Sequence, residues 1–521
     1  MSDDRDTKLH LILHTHFGYE GFRSQQLDII NDILDGNDML VLMPTGAGKS
    51  LCFQIPALYE DGLTVVISPL LSLIYDQVAD LRAAGITAHS YCSTSKITLT
   101  DIFRDVHGGI CNLLYTTPET FNKNASLQMH LRHLADHDQL RRFVIDEAHC
   151  MTVWGHDFRP EYLDLHMRQL YPEIPIVAFT ATATKLVSAD VISKLRLEEP
   201  LIFCTTFVKD NILYRIREKE NDSWSHMGNI VHKTIVLDGY VGSSGIIYCL
   251  SRKECEYMAN FLRVRGMSAE FYHAQIPLEQ KERVQSGWRE GKISVIVATI
   301  AFALGINKPN VRYVIHTSMP KSIESYYQQT GRAGRDGLKC KCTMYYSEKD
   351  METLRKMDGN NSVSEQHTPD LGFSLGNDDT DTETTSEVHT VPPVTNEQWL
   401  CDMYNMCCNT VDCIKVQLSN YLGEYSVSNC AGRGRAELCC NCIRRGIQGA
   451  PRQVKVDPEV RRIYSLLPNK RSIICQNYNT HRVLNELLNQ SYLTITVQGR
   501  DEIVTVDKPM PTGFSIAWLT I

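Results

Sequence analysis

The sequence predicts an α/β chain in which two doubly wound parallel sheets follow one another. Three observations predict it. Continuous apolar runs rich in β-branched residues recur between amphipathic stretches, and they fall into two series. A glycine-rich loop follows the first run, and an acidic pair closes a later one. Both sit where parallel strands deliver ligand-binding groups, beyond their carboxyl ends.

The first series reads MLVLMP (39–44), TVVISP (64–69), NLLYTTP (112–118), RFVIDE (142–147) and IPIVAFTAT (174–182). The second reads GIIYCLS (245–251), AEFYHA (269–274), ISVIVAT (293–299) and VRYVIHT (311–317). Alternating polarity would mark strands with one wet face, whereas unbroken runs mark strands covered on both. The domains are therefore expected at 1–208 and 209–352. Residues 353–398 follow as an acidic linker or insertion, polar and poor in apolar residues from Asp358 to Gln398, and expected to be disordered. A cysteine-rich block covers 399–445 and a basic segment 446–521. At 521 residues this division agrees with roughly 100–200 residues per domain.

Apolar residues make up 43% of the chain, enough for buried cores. The start, MSDDRDTKLHLILHTHFG, is acidic and does not read as a signal peptide. No apolar run is long enough to span a membrane, so an intracellular protein is expected. The net charge of −8 argues against a nucleic-acid partner only if it is taken whole. Residues 357–399 hold nine Asp/Glu and no Lys or Arg, while 443–500 hold ten Lys/Arg against three Asp/Glu. Regional charge is what informs about partners.

In MLVLMPTGAGKS, glycines let backbone N–H groups converge on phosphates. Lys49 adds a point charge, and the Ser50 hydroxyl is suited to Mg²⁺. Met43 stands where the general phosphate-loop pattern has its first glycine. FVIDEAHC puts Asp146 and Glu147 at a strand end, the first suited to hold Mg²⁺ and the second to orient an attacking water. In YYQQTGRAGRDG (326–337), Arg332 and Arg335 are three apart and fit one helical face. Reaching across from the second domain, they would stabilise charge on a transferring phosphoryl group. A site divided in this way forms only when the domains close, which is the design of a motor.

With these motifs in this order, the chain resembles the RecQ family of superfamily 2 DNA helicases over about residues 9–445, and two tandem RecA-like domains are implied. FGYEGFRSQQ (17–26) is similar to the family's adenine-recognition motif and implies Tyr19, Arg23 and Gln26 near the base. The loop residues Thr45, Gly46, Ala47, Gly48, Lys49 and Ser50, with Gln328, complete the implied nucleotide site. VISPLLSLIYDQV, YTTPE, DEAH and FTATAT resemble motifs Ia, Ib, II and III. HCMTVWGHDFRPEY (149–162) is similar to the family's aromatic-rich loop. Trp154 and Phe158 offer flat faces for bases to stack on, worth ~1–3 kcal/mol per base, and Arg159 adds charge. Motif V departs from the family pattern, with Ala303 in place of a glycine and Asn307 in place of an aspartate. That change bears on coupling, not on the fold.

Four cysteines crowd into Cys430–Cys442 of a chain expected to stay reduced. By resemblance to the RecQ zinc subdomain, Cys413, Cys430, Cys439 and Cys442 form a closed structural Zn²⁺ site. Cys440 is the alternative to Cys439, Cys407 and Cys408 are bystanders, and a redox dithiol is the competing reading. The eight residues between Cys430 and Cys439 are closer to the Bloom-type arrangement.

In the basic segment, DPEVRRIYSLL and NTHRVLNELLNQ read as helices and YLTITVQGRDEIVTVDK as a hairpin, compatible with a reduced winged helix. Its arginines and lysines suit phosphate contacts. The resemblance implies an ATP-, Mg²⁺- and Zn²⁺-dependent helicase, 3′ to 5′ in polarity, serving recombination, repair or replication forks. Single-stranded and forked or duplex DNA is the implied partner, for a monomer in the nucleus, or in the cytoplasm or nucleoid if the source is a prokaryote or a virus. The alternatives are a translocase or strand-annealing scaffold that unwinds weakly, and an RNA helicase.

Overall fold

A computed structural model describes residues 2–23, 25–93, 95, 97–151, 162, 165–181, 184–302, 308–362, 396–424, 430, 438–443, 452–455, 493–498, 501–506 and 515–518. Seven strands form the first sheet: β1 (Met39–Leu42), β2 (Leu63–Ile67), β3 (Ala88–Tyr91), β4 (Leu113–Thr116), β5 (Leu140–Ile145), β6 (Ile176–Thr180) and β7 (Leu201–Cys204). They run parallel in the order β3-β4-β2-β5-β6-β1-β7. Six more form the second: β8 (Ile212–Glu218), β9 (Gly245–Tyr248), β10 (Ala269–Tyr272), β11 (Val295–Ala298), β12 (Tyr313–His316) and β13 (Cys340–Tyr346). Their order is β10-β11-β9-β12-β13-β8, again parallel.

Except in the edge strand β10, where Glu270 and Phe271 are half-buried, the apolar runs are buried on both faces. In β1, Met39 and Val41 pack into one core while Leu40 and Leu42 pack into the core on the opposite face. In β9, Ile246 and Tyr248 face one core and Ile247 the other. Side chains alternate with period two along a strand, so a run wholly apolar is what a sheet covered by helices on both faces requires.

Four strands, β3, β7, β8 and β13, go beyond the nine expected runs. Strands β3 and β7 are short edge strands with polar or exposed residues, and β8 is an edge strand whose charged Arg215, Arg217 and Glu218 break its apolar pattern. In β13, Lys341 and Thr343 interrupt the run, although five of the seven residues besides Thr343 are buried.

Both ends of 353–398, the acidic stretch expected to be disordered, are helical. The helix Glu348–Ser362 carries ten residues into it, and the helix Asn396–Cys408 takes its last three. Met351 and Leu354 anchor the first helix in the core, and Arg355 Nε donates to both Glu397 carboxylate oxygens at 2.9 Å, fastening the two helices together. The rest of that stretch lies outside the described residues. Leu400, Met403 and Met406, with Ile414 and Leu418 of the helix Ile414–Tyr421, join the core of the second sheet. The described residues of the cysteine-rich block are thus packed onto the second sheet.

Beyond it, β14 (Arg452–Lys455) pairs antiparallel with β17 (Ser515–Trp518), and β15 (Leu493–Gln498) pairs with β16 (Asp501–Val506) in the register Leu493 to Val506. The pairing of β15 with β16 is the expected hairpin. The two helices expected before it lie outside the described residues.

Candidate functional site

Strand β1 ends at Leu42, and the chain turns through Pro44–Gly48 into the helix Lys49–Tyr59. Gly46 and Gly48 have φ of +81° and +93°, the left-handed region that side chains rarely adopt. A Cβ on Gly48 would lie 2.4 Å from Gln26 Nε2. That closeness is used: Gln26 Nε2 donates to Gly48 O at 3.1 Å and to Ala47 O at 3.4 Å. Arg23 Nη1 donates to Gly46 O at 2.8 Å, and the Arg23 N–H holds Gln26 Oε1 at 2.7 Å. Arg23 and Gln26 therefore brace the glycine loop, while Tyr19 is half exposed at the rim of the same cavity.

The acidic pair follows β5. Asp146 N donates to Ile67 O at 2.9 Å, which continues the ladder to β2, and Ser68 Oγ donates to Asp146 Oδ2 at 3.4 Å. Glu147 has φ +51°, a strained position for a residue with a side chain. Its Oε1 is 3.5 Å from Lys49 Nζ and its Oε2 is 3.4 Å from His149 Nδ1. Burial and the neighbouring Glu147 push Asp146 up to about 6, against the opposing pull of Lys49. Burial pushes Glu147 up too, but Lys49, His149 and Arg332 outweigh it and hold this carboxyl below its ordinary value. Two adjacent carboxylates driven apart in this way suit different tasks, one as a cation ligand and the other as a charged base.

Arg332 and Arg335 come from the second sheet's side. The helix Ile323–Thr330 stops before them, so they lie on a run of turns and not on one helical face. Gly334 makes that path possible: at φ +59°, a Cβ there would meet Asn211 Nδ2 at 2.4 Å. Arg332 is buried and Arg335 half-buried, and desolvation together with Arg332 presses Arg335 down to about 9. A pair of desolvated cations is most readily relieved by an anion set between them. Gln328 does not line the cavity; its Nε2 lies 3.5 Å from His149 Nε2, linking the helix to the acidic segment.

Tyr19, Arg23, Gln26, Thr45, Gly46, Gly48, Lys49, Ser50, Asp146, Glu147, Arg332 and Arg335 line one cavity of about 420 Å³ between the two sheets. The sheets are also joined by Arg289 to Asp76 at 2.6 Å. An anion-binding loop, a buried carboxylate pair and two arginines around one space form an arrangement for transferring a phosphoryl group. The chemistry of the donors fits a hard divalent cation, since Ser50 and Asp146 offer only oxygen. Sequence reasoning missed Lys209, His149 and Asp76; contacts to backbone carbonyls or between distant segments leave no local pattern.

Trp154, Phe158, Arg159, Ala303 and Asn307 lie outside the described residues. Tyr162, the last residue of the aromatic-rich stretch, is buried and donates its hydroxyl to Asp146 O at 3.1 Å, tying that residue to the acidic pair. A second, open groove of about 1300 Å³ runs past the carboxyl ends of β2, β3 and β4, lined by Leu70–Ser72, Tyr91–Ser93, Thr117, Glu119, Thr120 and Lys123 among others.

Cys413, Cys430, Cys439 and Cys442 are buried, and their sulfurs lie within 4.8 Å of one another. Cys413 to Cys430 is 3.4 Å and Cys413 to Cys439 is 3.8 Å. A tetrahedron with metal–sulfur bonds of about 2.3 Å has edges of roughly 3.8 Å, so the four residues fit a thiophilic ion. Cys440 points elsewhere, accepting from Ile216 N of β8 at 3.4 Å. Cys407 and Cys408 are buried in the second sheet's core.

Comparison with known proteins agrees with this geometry. The DEAD/DEAH box helicase family matches residues 23–189, and the Helicase conserved C-terminal domain matches 229–337. The RecQ-like DNA helicase BLM of Xenopus laevis is 38% identical over 446 residues, covering 83% of this chain and 30% of that protein. The ATP-dependent DNA helicase RecQ of Pasteurella multocida is 44% identical over 350 residues, 66% of this chain and 53% of that one. The chain thus spans about half or less of the length of these relatives. Among solved structures, the helicase MrfA bound to DNA and AMPPNP superposes with a TM-score of 0.53 at 19% identity, covering 65% of this chain and 50% of that one, a likeness of fold. Among the described residues no helix is long and apolar enough to cross a membrane.

Proposed function

The chain belongs to the RecQ family of DNA helicases, and on that footing we propose that it is an ATP-driven motor that unwinds duplex DNA, moving 3′ to 5′ along one strand in the service of recombination, repair or replication forks. The observation that carries the reading is the single cavity between the sheets, to which one sheet contributes Lys49, Asp146 and Glu147 and the other Arg332 and Arg335. Because neither side holds all the groups, hydrolysis depends on closure, and closure is what a translocating motor repeats.

In this reading Gly46, Gly48 and Lys49 receive the nucleotide's phosphates, and Arg23 and Gln26, with Tyr19 at the rim, flank its base. A Mg²⁺ held by Ser50 and Asp146 would neutralise phosphate charge. Glu147 orients the attacking water and accepts its proton, while Arg332 and Arg335 stabilise the charge that develops on the transferred group. The four-cysteine cluster would hold Zn²⁺ as a closed structural site beside the second sheet. Single-stranded DNA would run along the groove past β2–β4, with Trp154, Phe158 and Arg159 as its stacking and charge contacts. A nuclear location belongs to the same reading.

The test is ATP hydrolysis with single-stranded DNA, single-stranded RNA or neither, in the intact chain and in Lys49→Ala. Stimulation by DNA at least tenfold above that by RNA, abolished in Lys49→Ala, is expected. Greater stimulation by RNA, or an active Lys49→Ala protein, would contradict it.

A further inference from the structure

The connection between the sheets, residues 205–211, is not a loose tether. Thr205 N donates to Leu42 O at 3.0 Å, extending β7 along β1 towards the phosphate loop. Phe207 N donates to Glu424 Oε2 at 2.8 Å, and Phe207 O accepts from Tyr327 Oη at 2.8 Å. Asn211 Nδ2 donates to Gly334 O at 2.7 Å.

Lys209 sits between these anchors and makes a different kind of contact. Its ammonium donates to Thr45 O, inside the phosphate loop, and to Gly331 O at 3.0 Å, the residue before Arg332. Among the described residues no carboxylate pairs with it, and its neighbours include the cations Arg335 and Arg332. Burial, with Arg335 adding to it, presses the amine down to about 7. A lysine placed only to fill space would turn its head to water, because an unpaired ammonium is costly to bury. This one points at two carbonyls from opposite sides of the cleft.

We infer that Lys209 is a positioning residue for ATP hydrolysis: by holding Thr45 O and Gly331 O on one ammonium, it sets Arg332 and Arg335 in register over the phosphate loop. The inference rests on the reading of the cavity as an ATPase site. The contacts are to carbonyl oxygens and not to the cavity's interior, so Lys209 acts through the loop and the arginine turn. Losing it should therefore misplace the arginines while leaving the nucleotide-binding groups on the first sheet intact. A misplacement on the order of 1 Å can cost up to about a hundredfold in rate.

The experiment compares DNA-stimulated ATPase kinetics and affinity for a fluorescent ATP analogue in the intact chain, Lys209→Met, Lys209→Arg and Glu424→Ala. Glu424→Ala loosens the same connection at Phe207 without touching Thr45 or Gly331. Lys209→Met is expected to lose about 10- to 100-fold in kcat, with KM and analogue affinity within about threefold. Lys209→Arg, which keeps a donor to both carbonyls, is expected to recover most of the loss, and Glu424→Ala to retain kcat within about threefold. Thermal melting is followed for all four proteins. Should Lys209→Met fail to fold, Lys209→Arg and Glu424→Ala decide: a folded Arg variant near wild-type kcat, well above Glu424→Ala, supports the role, and equal losses in the two overturn it. A folded Lys209→Met with unchanged kcat, or with KM raised as much as kcat falls, overturns it as well. An intact chain that hydrolyses no ATP would instead remove the reading on which the inference rests.

Discussion

Replacing Glu147 by Gln removes one negative charge from the cavity and little else. The carboxylate lies 3.5 Å from Lys49 Nζ and 3.4 Å from His149 Nδ1. At an effective dielectric of about 20, the contact with Lys49 alone is worth at most about 4–5 kcal/mol. Losing it leaves Lys49 less neutralised, so the phosphates of ATP should bind as tightly as before or more so. The chemical step should suffer, because a carboxamide cannot take a proton from water. A positioned general base contributes about 10²–10⁴-fold, or about 3–5 kcal/mol of barrier. Glu147→Gln should therefore lower the DNA-stimulated kcat by that factor, with affinity for a fluorescent ATP analogue unchanged or improved. Turnover within about fivefold of the intact chain would refute the assignment of the base. A loss of affinity that accounts for the whole defect would refute the electrostatic account of the pair.

Gly48→Ala forces a side chain into φ +93° and into the space of Gln26 Nε2, so the brace on the loop must give way. Strain of about 1–3 kcal/mol should raise KM for ATP by about tenfold or more in steady-state assays. Cys439→Ala removes one corner of the thiol cluster. Metal analysis should find zinc in the intact chain and none in the variant, and chelation should lower the melting temperature of the intact chain by more than about 5 °C. His316 is buried against Tyr248, with Nε2 2.7 Å from Gln329 Oε1, and burial holds its pKa down at about 4 against the ordinary 6.5. The unfolded chain takes up a proton below about 6.5 and the folded chain only below about 4, so stability falls as pH drops through that window, by up to roughly 3 kcal/mol. Denaturant titrations of His316→Asn should show a correspondingly flatter dependence between those pH values.

The elements legible in the sequence are those whose physics is local. Runs such as MLVL, and LTVVI with Thr64 its one polar residue, announce doubly covered strands because nearly every residue is apolar. The edge strands β3 and β8 escape that test, since an edge tolerates the polar side chains that a central strand excludes. The phosphate loop and the acidic pair were legible because glycines, a lysine and two carboxylates leave few alternatives at strand ends. The sequence pattern marks Arg332 and Arg335 but suggests one helical face for them, where the chain makes a turn; the φ of +59° at Gly334 depends on its packing against Asn211, over a hundred positions away. Lys209 was invisible for a related reason. It recognises two backbone carbonyls, and a carbonyl has no residue type.

Strand displacement tests the central claim most directly. Matched duplexes carrying a 3′ or a 5′ single-stranded tail are incubated with the intact chain, with and without ATP, and with Lys49→Ala. ATP-dependent release from the 3′-tailed duplex alone, absent in Lys49→Ala, is the predicted result. Release from the 5′-tailed duplex instead, or no release despite DNA-stimulated hydrolysis, would contradict it.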